Sequence, residues 1–202
     1  MAAEPAWDVP LPGPEGLAPP APPAPRDEVG AARARRRAAD RPARTGRGDG
    51  ERPGRVLLVC SSGGHLAQLL SLGEWTRERP TRWVTFDTAD ARSLLEGEDV
   101  VWGHHPTTRN IPNLLRNTVL AARMMLRERP AAVVSTGAGI AVPFFVLGRA
   151  LGVPTVFIEV VDRIETATLT GRLCRPFATR VLVQWEEQRA LYPGATVVGP
   201  LL

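Results

Sequence analysis

Residues 55–66 read RVLLVCSSGGHL, a short apolar run followed by a turn rich in serine and glycine. The run from Arg55 to Cys60 has the composition of a strand that is buried on both faces of a parallel sheet. A helical pattern begins at His65, directly after the turn. Strand, glycine turn and helix in this order are typical of the first half of a βαβ unit.

The same alternation continues to the end of the chain. Further strands are predicted at 83–87, 100–103, 132–135, 155–159, 181–184 and 196–198, and helices at 65–78, 89–96, 112–128, 141–151, 165–174 and 186–192. This pattern predicts an α/β fold, a Rossmann-like doubly wound parallel sheet, with the usual strand order 3-2-1-4-5-6.

The first 54 residues have a different composition. Eleven of the twenty prolines lie between Met1 and Gly54, and apolar residues there follow neither a strand nor a helix period. We therefore predict a disordered tail at 1–54 and a single folded domain at 55–202. The basic run from Arg33 to Arg37 is interpreted as part of a solvated tail, with contact to nucleic acid or to an anionic membrane as the alternatives; no nucleic-acid partner is expected.

Metal and disulfide chemistry have little support in the sequence. The two cysteines, Cys60 and Cys174, are too few and too far apart for a disulfide framework, and His104-His105 has no acidic or cysteine partner in register. No metal or cofactor is expected. The apolar stretch 131–148 has the length of a membrane span, but it contains a glycine turn and Pro143, so a buried strand followed by a helix explains it better.

Two glycine loops follow strands that are neighbours in the predicted order. Ser61-Ser62-Gly63-Gly64 follows the first strand, and Ser135-Thr136-Gly137-Ala138-Gly139 follows the fourth. Both loops would then flank the crevice at the carboxyl edge of the sheet, where helix N-termini attract anions, and a diphosphate suits such a pair. Neither loop has the dinucleotide fingerprint, and the chain contains no lysine for a Walker A loop. The alternative is that the glycines only make tight turns.

Three polar residues at this edge are candidates for chemistry. His65 is a possible phosphate ligand or general base, or else a helix cap. Glu159 ends the fifth strand and is either a site residue or a turn former. Arg163 either pairs with Glu159 or binds phosphate.

The predicted helix 112–128 carries a basic stripe. Arg116, Arg123 and Arg127 project within about 40° of one another. Leu120 and Met124 flank that stripe on one side, an arrangement that suits contact with a membrane surface. A solvated basic face on an ordinary packed helix is the alternative.

The stretch Val56 to Leu202 resembles the Alg14 family, whose members are the membrane-recruiting subunits of a two-part UDP-N-acetylglucosamine transferase. More remotely it resembles the N-terminal half of MurG-type GT-B glycosyltransferases. The motifs that carry the resemblance are Ser61 to His65, Ser135 to Gly139, Phe157-Ile158-Glu159 with Arg163 and Thr166, Leu169-Thr170-Gly171, and Val183-Gln184-Trp185.

The resemblance implies a subunit that is inactive alone and needs an Alg13-like chain to bind the sugar nucleotide. It places the diphosphate of a polyprenyl-linked acceptor at Ser61, Ser62, Gly63, Gly64, Thr136, Gly137, Ala138, Gly139 and Arg163. His65 and Glu159 are then the catalytic candidates. The expected donor is UDP-N-acetylglucosamine, and a bacterial exopolysaccharide pathway is favoured, with lipid-linked oligosaccharide synthesis as the other possibility.

Location and partner surfaces follow from the same resemblance. The eukaryotic members have an N-terminal membrane helix where this chain has the tail. We therefore expect a peripheral protein on the cytoplasmic face of a membrane, held by Arg116, Leu120, Arg123, Met124 and Arg127, with the arginine cluster of the tail or another protein as the alternatives. The apolar C-terminus suggests a partner interface at Val197, Val198, Leu201 and Leu202, with packing against its own sheet as the alternative.

Two other functions compete with this interpretation. A self-sufficient Rossmann-like nucleotide-binding protein would use an acidic residue after the second strand, for which Asp87 is the candidate. A purely non-catalytic membrane anchor for a partner would leave the crevice residues dispensable.

Overall fold

Seven parallel strands form one sheet in the computed structural model, which describes residues 54–107 and 109–202. The strands are β1 Val56–Val59, β2 Thr81–Phe86, β3 Val100–Gly103, β4 Ala132–Ser135, β5 Thr155–Ile158, β6 Arg180–Val183 and β7 Thr196–Val197. Their order is β3-β2-β1-β4-β5-β6-β7, which confirms the predicted doubly wound arrangement. The predicted tail lies outside the described residues except for Gly54, so it stays a prediction.

The helices are α1 Gly64–Leu70, α2 Gly73–Arg77, α3 Ala89–Leu94, α4 Ile111–Glu128, α5 Ala141–Leu151 and α6 Leu169–Cys174, with 3-10 turns at Arg175–Phe177 and Glu186–Ala190. The helix predicted at 65–78 is thus two helices. The helix predicted from 165 begins at Leu169 because Thr168 caps it, its Oγ1 accepting from the N–H of Gly171 at 3.0 Å.

Both faces of the sheet are covered, as the apolar strands required. Leu57 and Val59 point to the face that is packed by α4, α5 and α6, where Phe144 is fully buried. Leu58, between them in the strand, points to the opposite face, where it packs with Leu66 of α1. The successive residues of β1 therefore belong to two separate cores.

Two buried asparagines fix α4 to the chain that follows β3. Asn117 receives a hydrogen bond from the N–H of His104 and donates one to the carbonyl oxygen of the same residue, both at 2.8 Å. Asn113 donates to the carbonyl oxygen of Pro106 at 2.9 Å. Asn110 caps the helix by accepting from the N–H of Asn113. These contacts hold the first turns of α4 beside the carboxyl edge of the sheet.

Candidate functional site

The two glycine loops lie side by side at the carboxyl edge of the sheet. Strands β1 and β4, which precede them, are hydrogen-bonded neighbours. Two reciprocal hydrogen bonds join the loops: His65 Nδ1 lies 2.9 Å from the carbonyl oxygen of Thr136, and Thr136 Oγ1 donates to the carbonyl oxygen of His65 at 2.8 Å. The structure brings the loops together as predicted.

The contact with Thr136 determines which nitrogen of His65 carries the proton. A carbonyl oxygen can only accept, so Nδ1 is the protonated nitrogen and Nε2 keeps its lone pair. Burial lowers the pKa of His65 below its ordinary value of 6.5, against the opposing effects of the Thr136 hydrogen bond and the negative charges of Glu159 and Asp162. The ring is therefore neutral at pH 7, and the lone pair of Nε2 can accept a proton.

We expect the His65 ring to titrate with a midpoint below 6.5 in NMR spectra of the folded chain, because burial penalises the imidazolium. The unfolded chain then binds this proton more readily. The free energy of unfolding should accordingly fall as the pH drops through 6.5 and level off below the native pKa. In His65→Asn this component of the pH dependence should disappear. A midpoint at or above 6.5 would contradict the assignment of a buried neutral ring.

The first loop presents open backbone to the crevice. Gly63 and Gly64 are exposed, and a Cβ atom on either would meet no heavy atom within 4 Å. Gly63 has φ +72°, a conformation that favours glycine. Ser61 and Ser62, which precede them, are partly buried. Close approach of a ligand to this backbone is therefore possible at Gly63 and Gly64.

The second loop is more tightly packed. Gly137 has φ +120°, and a Cβ there would lie 3.2 Å from Cε1 of His65, so glycine is needed for the two loops to meet. A Cβ on Gly139 would lie 3.2 Å from the side chain of Thr107. Ala138 has φ +74°, which is unusual for a residue with a side chain, and it packs against the core. The second loop therefore supports His65, and contact of Gly139 with a ligand stays a prediction.

Asp90, which no sequence motif marks as a site residue, contacts the first loop. The N–H of Gly63 donates to Asp90 Oδ2 at 3.0 Å. The neighbouring Thr88 hydroxyl, and after it backbone N–H groups that include Gly63, lower the pKa of Asp90. An anionic ligand would have to compete with this carboxylate for the Gly63 N–H. Asp87, the candidate ribose ligand, is instead paired with Arg92, with 2.7 Å between Oδ2 and Nη2.

Glu159 lies inside the protein. Its side chain is 0% exposed, and its oxygens accept from the N–H of Val160 at 3.0 Å, from the N–H and Oγ1 of Thr168 at 3.1 and 3.2 Å, and from the hydroxyl of Tyr192. Burial and the hydrogen bond to Glu159 raise the pKa of Tyr192. This arrangement, the Glu159–Tyr192 brace, ties the loop after β5 to the core. It favours a supporting role for Glu159, and a role in catalysis stays a prediction.

Gly171 is required by the brace. A Cβ at this position would lie 2.0 Å from the Tyr192 hydroxyl and 2.8 Å from Glu159 Oε2.

A cavity of about 320 Å³ opens beside Tyr192, and Arg172 and Arg175 line it. Arg163 lies in the loop after β5 and is exposed. It does not pair with Glu159, whose oxygens accept from Thr168 and Tyr192 instead.

Comparison with known proteins agrees with this geometry. A family model described as "Oligosaccharide biosynthesis protein Alg14 like" matches residues 104–201, which include the second loop, the brace and the C-terminus. The UDP-N-acetylglucosamine transferase subunit ALG14 of Mus musculus is 24% identical over 180 residues, covering 73% of this chain and 83% of that protein. The chain is thus similar to Alg14 proteins over most of its folded part.

One solved structure and one further sequence are also similar to this chain. The crystal structure of Acinetobacter baumannii MurG superposes with a TM-score of 0.58 at 20% identity, covering 72% of this chain but only 44% of MurG. A 61-residue stretch is 43% identical to the UDP-N-acetylglucosamine--N-acetylmuramyl-(pentapeptide) pyrophosphoryl-undecaprenol N-acetylglucosamine transferase of Roseiflexus, of which it covers 14%. The chain thus shares the Rossmann-like fold of this part of MurG.

The structure of helix α4 agrees with only part of the predicted membrane surface. Arg116, Arg123 and Arg127 are exposed as expected. Met124, however, is only 4% exposed and lies in the core, and Leu120 is partly buried against it. The prediction for Met124 was wrong because this side of the helix faces the sheet and α5, whereas membrane contact of the partly buried Leu120 stays a prediction.

The exposed apolar residues of α4 lie on the other side of the arginines. They are Ile111, Leu114, Leu115, Val119 and Leu126, with exposed fractions of 44–70%. We call this set, together with Arg116, Arg123 and Arg127, the α4 stripe. Within residues 54–107 and 109–202, no helix is long and apolar enough to cross a bilayer. In the same part of the chain, no cluster of three metal-ligating side chains occurs.

Most of the apolar C-terminal residues pack against the cores of this chain. Val197, Val198 and Leu201 are partly buried and pack against them. Leu202 is 67% exposed. A partner interface at these four residues stays a prediction, and Leu202 is the side chain most accessible to a partner.

Proposed function

We propose that this chain is the acceptor-binding, membrane-recruiting subunit of a two-chain UDP-sugar glycosyltransferase. The donor would be UDP-N-acetylglucosamine, bound by an Alg13-like partner, and the acceptor a polyprenyl-diphosphate-linked saccharide on the cytoplasmic face of a membrane. The product would serve exopolysaccharide or lipid-linked oligosaccharide synthesis. The observation that carries the proposal is the His65–Thr136 contact, which joins both glycine loops and leaves a neutral ring at the crevice.

The chemistry of an acceptor fits this site. A hydroxyl group that attacks a sugar nucleotide must lose its proton, and Nε2 of His65 is a neutral acceptor at the edge of the open first loop. Gly63 and Gly64 allow a diphosphate to approach the backbone closely. Arg163 is exposed in the loop after β5 and would add a positive charge.

The α4 stripe supports the membrane role. An exposed apolar row flanked by arginines can insert into the headgroup region while the arginines contact anionic lipid. The stripe begins at Ile111, beside the chain that Asn113 and Asn117 hold at the carboxyl edge. A crevice near the bilayer would suit an acceptor that is carried by a lipid.

The two alternatives are weaker on the structure. A nucleotide-binding function requires an acidic side chain to bind ribose, but Asp87 is paired with Arg92. A pure anchor gives no reason for the tie between His65 and Thr136.

Binding to the isolated chain separates the three functions. We expect a short-chain polyprenyl-diphosphate disaccharide to bind, and UDP-N-acetylglucosamine to bind at least tenfold more weakly, in calorimetry. Gly64→Ala should reduce acceptor binding because its methyl group enters the open crevice, whereas the control Gly73→Ala, at the start of α2, should not. Preferential binding of the nucleotide would favour the nucleotide-binding protein. Absence of binding to either would favour the anchor.

The α4 stripe leads to a second prediction. Replacing Arg116, Arg123 and Arg127 with glutamine should weaken binding to anionic vesicles by roughly a hundredfold at low salt, since each basic residue near the surface contributes about 1 kcal/mol. Changing Leu115 and Val119 to glutamine should weaken it at all salt concentrations.

The control for this prediction is on α5, where Arg149 and Leu151 are also exposed. Replacing both with glutamine should leave vesicle binding unchanged. If the α4 variants sediment with vesicles as well as the native chain does, the membrane contact lies elsewhere and this part of the proposal fails.

A further inference from the structure

The buried side chain of Gln184 connects three distant parts of the chain. We infer that Gln184 is a positioning residue that holds the C-terminal segment, residues 198–202, against the elements that build the candidate site. Its role for a partner rests on the proposed function, whereas its role in holding the segment does not.

The hydrogen bonds of Gln184 use every proton that its amide group can donate. Gln184 follows β6 and is 1% exposed. Its Oε1 accepts from the N–H of Leu201 at 2.8 Å, and its Nε2 donates to Gln68 Oε1 at 2.6 Å and to the carbonyl oxygen of Glu159 at 2.9 Å. Since the N–H of Leu201 can only donate and the carbonyl of Glu159 can only accept, the orientation of the amide is fixed.

Gln68 extends the connection towards the site. It is 4% exposed and belongs to α1, the helix that carries His65. Its Oε1 also accepts from the N–H of Val161 at 3.2 Å, in the loop that follows Glu159. A continuous set of hydrogen bonds therefore leads from the C-terminal segment to α1 and to the loop after β5.

The C-terminal segment has few other attachments. The N–H of Val198 donates to the carbonyl oxygen of Val183 at 2.9 Å and continues the ladder of β7. Gly199 then turns the chain with φ +81°, and Pro200 has no N–H to donate. The bond from Leu201 to Gln184 follows, with the Leu201 side chain against the core on the α1 face. Loss of the Gln184 amide should release residues 199–202 while β7 stays paired.

The test is amide hydrogen exchange of the isolated full-length chain, measured by NMR. In Gln184→Met, which keeps the length of the side chain, we expect the protection of the Leu201 amide to fall by about tenfold, as expected for one lost hydrogen bond. The matched control is Thr155→Val, which removes a buried hydroxyl that donates to Phe177 at the other end of β5. That change should leave Leu201 protection, relative to core amides, unaltered. Equal protection in Gln184→Met and the native chain, or equal loss in both variants, would overturn the inference.

A second pair of variants breaks the same bond from the surface, so the test does not depend on the folding of Gln184→Met. Leu201→Pro removes the N–H, whereas Leu201→Ala shortens the side chain and keeps it. We expect the heteronuclear NOE of Gly199, which lies within the held segment, to be lower in Leu201→Pro than in Leu201→Ala. Equal values would refute the role of the bond. Neither measurement needs a partner or an acceptor, so failure of the proposed function would leave these results unchanged.

Discussion

Replacing His65 with asparagine is expected to lower the turnover of the assembled two-chain enzyme by about 100- to 10,000-fold, the usual contribution of a general base. The physical reason is the tautomer: Nδ1 donates to Thr136, so Nε2 is the atom that can accept the acceptor's proton. An asparagine amide can still donate to the Thr136 carbonyl, but it has no basic nitrogen. The measurement is kcat with saturating donor and acceptor.

Thr136→Val provides the matched comparison. It removes the hydroxyl that donates to the His65 carbonyl but leaves the contact of Thr136's own carbonyl with the ring. We expect a much smaller loss of turnover than in His65→Asn, because the base is still present. Normal turnover in His65→Asn would exclude His65 as the proton acceptor and limit it to holding the loops together.

Glu159→Ala is expected to destabilise the folded chain by about 3–5 kcal/mol. The reason is that the buried donors of Val160, Thr168 and Tyr192 lose their hydrogen-bond acceptor. Tyr192→Phe removes the donating hydroxyl itself, so that no buried donor is left without an acceptor. It should destabilise the chain by only about 1–2 kcal/mol. Urea denaturation of the isolated chain measures both changes.

Urea denaturation, combined with the turnover of the assembled two-chain enzyme, decides between the two roles of Glu159. A supporting role predicts that activity is lost in proportion to the unfolded fraction, and that conditions that restore folding restore turnover. A folded Glu159→Ala chain with less than 1 kcal/mol of destabilisation and no turnover would instead return Glu159 to the catalytic step.

Much of the fold follows from the sequence because its signals are local and repeated. The apolar runs of β1, β4 and β5 could belong only to strands covered on both faces, and the usual order of a doubly wound sheet then made the two glycine loops neighbours. The break between α1 and α2 was missed because apolar residues continue across it, at Leu70, Leu72 and Trp75.

The orientation of single side chains was less predictable. Apolar residues flank the arginines of α4 on both sides, and only packing against α5 shows that Met124 is inside and Leu115 outside. A carboxylate at the end of a strand can point to the crevice or to the core. Glu159 points to the core, where it accepts hydrogen bonds from Thr168 and Tyr192, and the sequence did not indicate these contacts. Asp90 was missed because its contact with Gly63 joins residues 27 apart in sequence.

The proposed function makes this chain the acceptor half of an enzyme whose donor half is another chain. It is tested by sugar transfer from UDP-N-acetylglucosamine to a polyprenyl-diphosphate-linked acceptor, measured with this chain alone, with an Alg13-like chain alone and with the mixture. We expect transfer only by the mixture, and its loss when His65→Asn replaces the native chain. Robust transfer by this chain in isolation, or by the Alg13-like chain at the rate of the mixture, would contradict it.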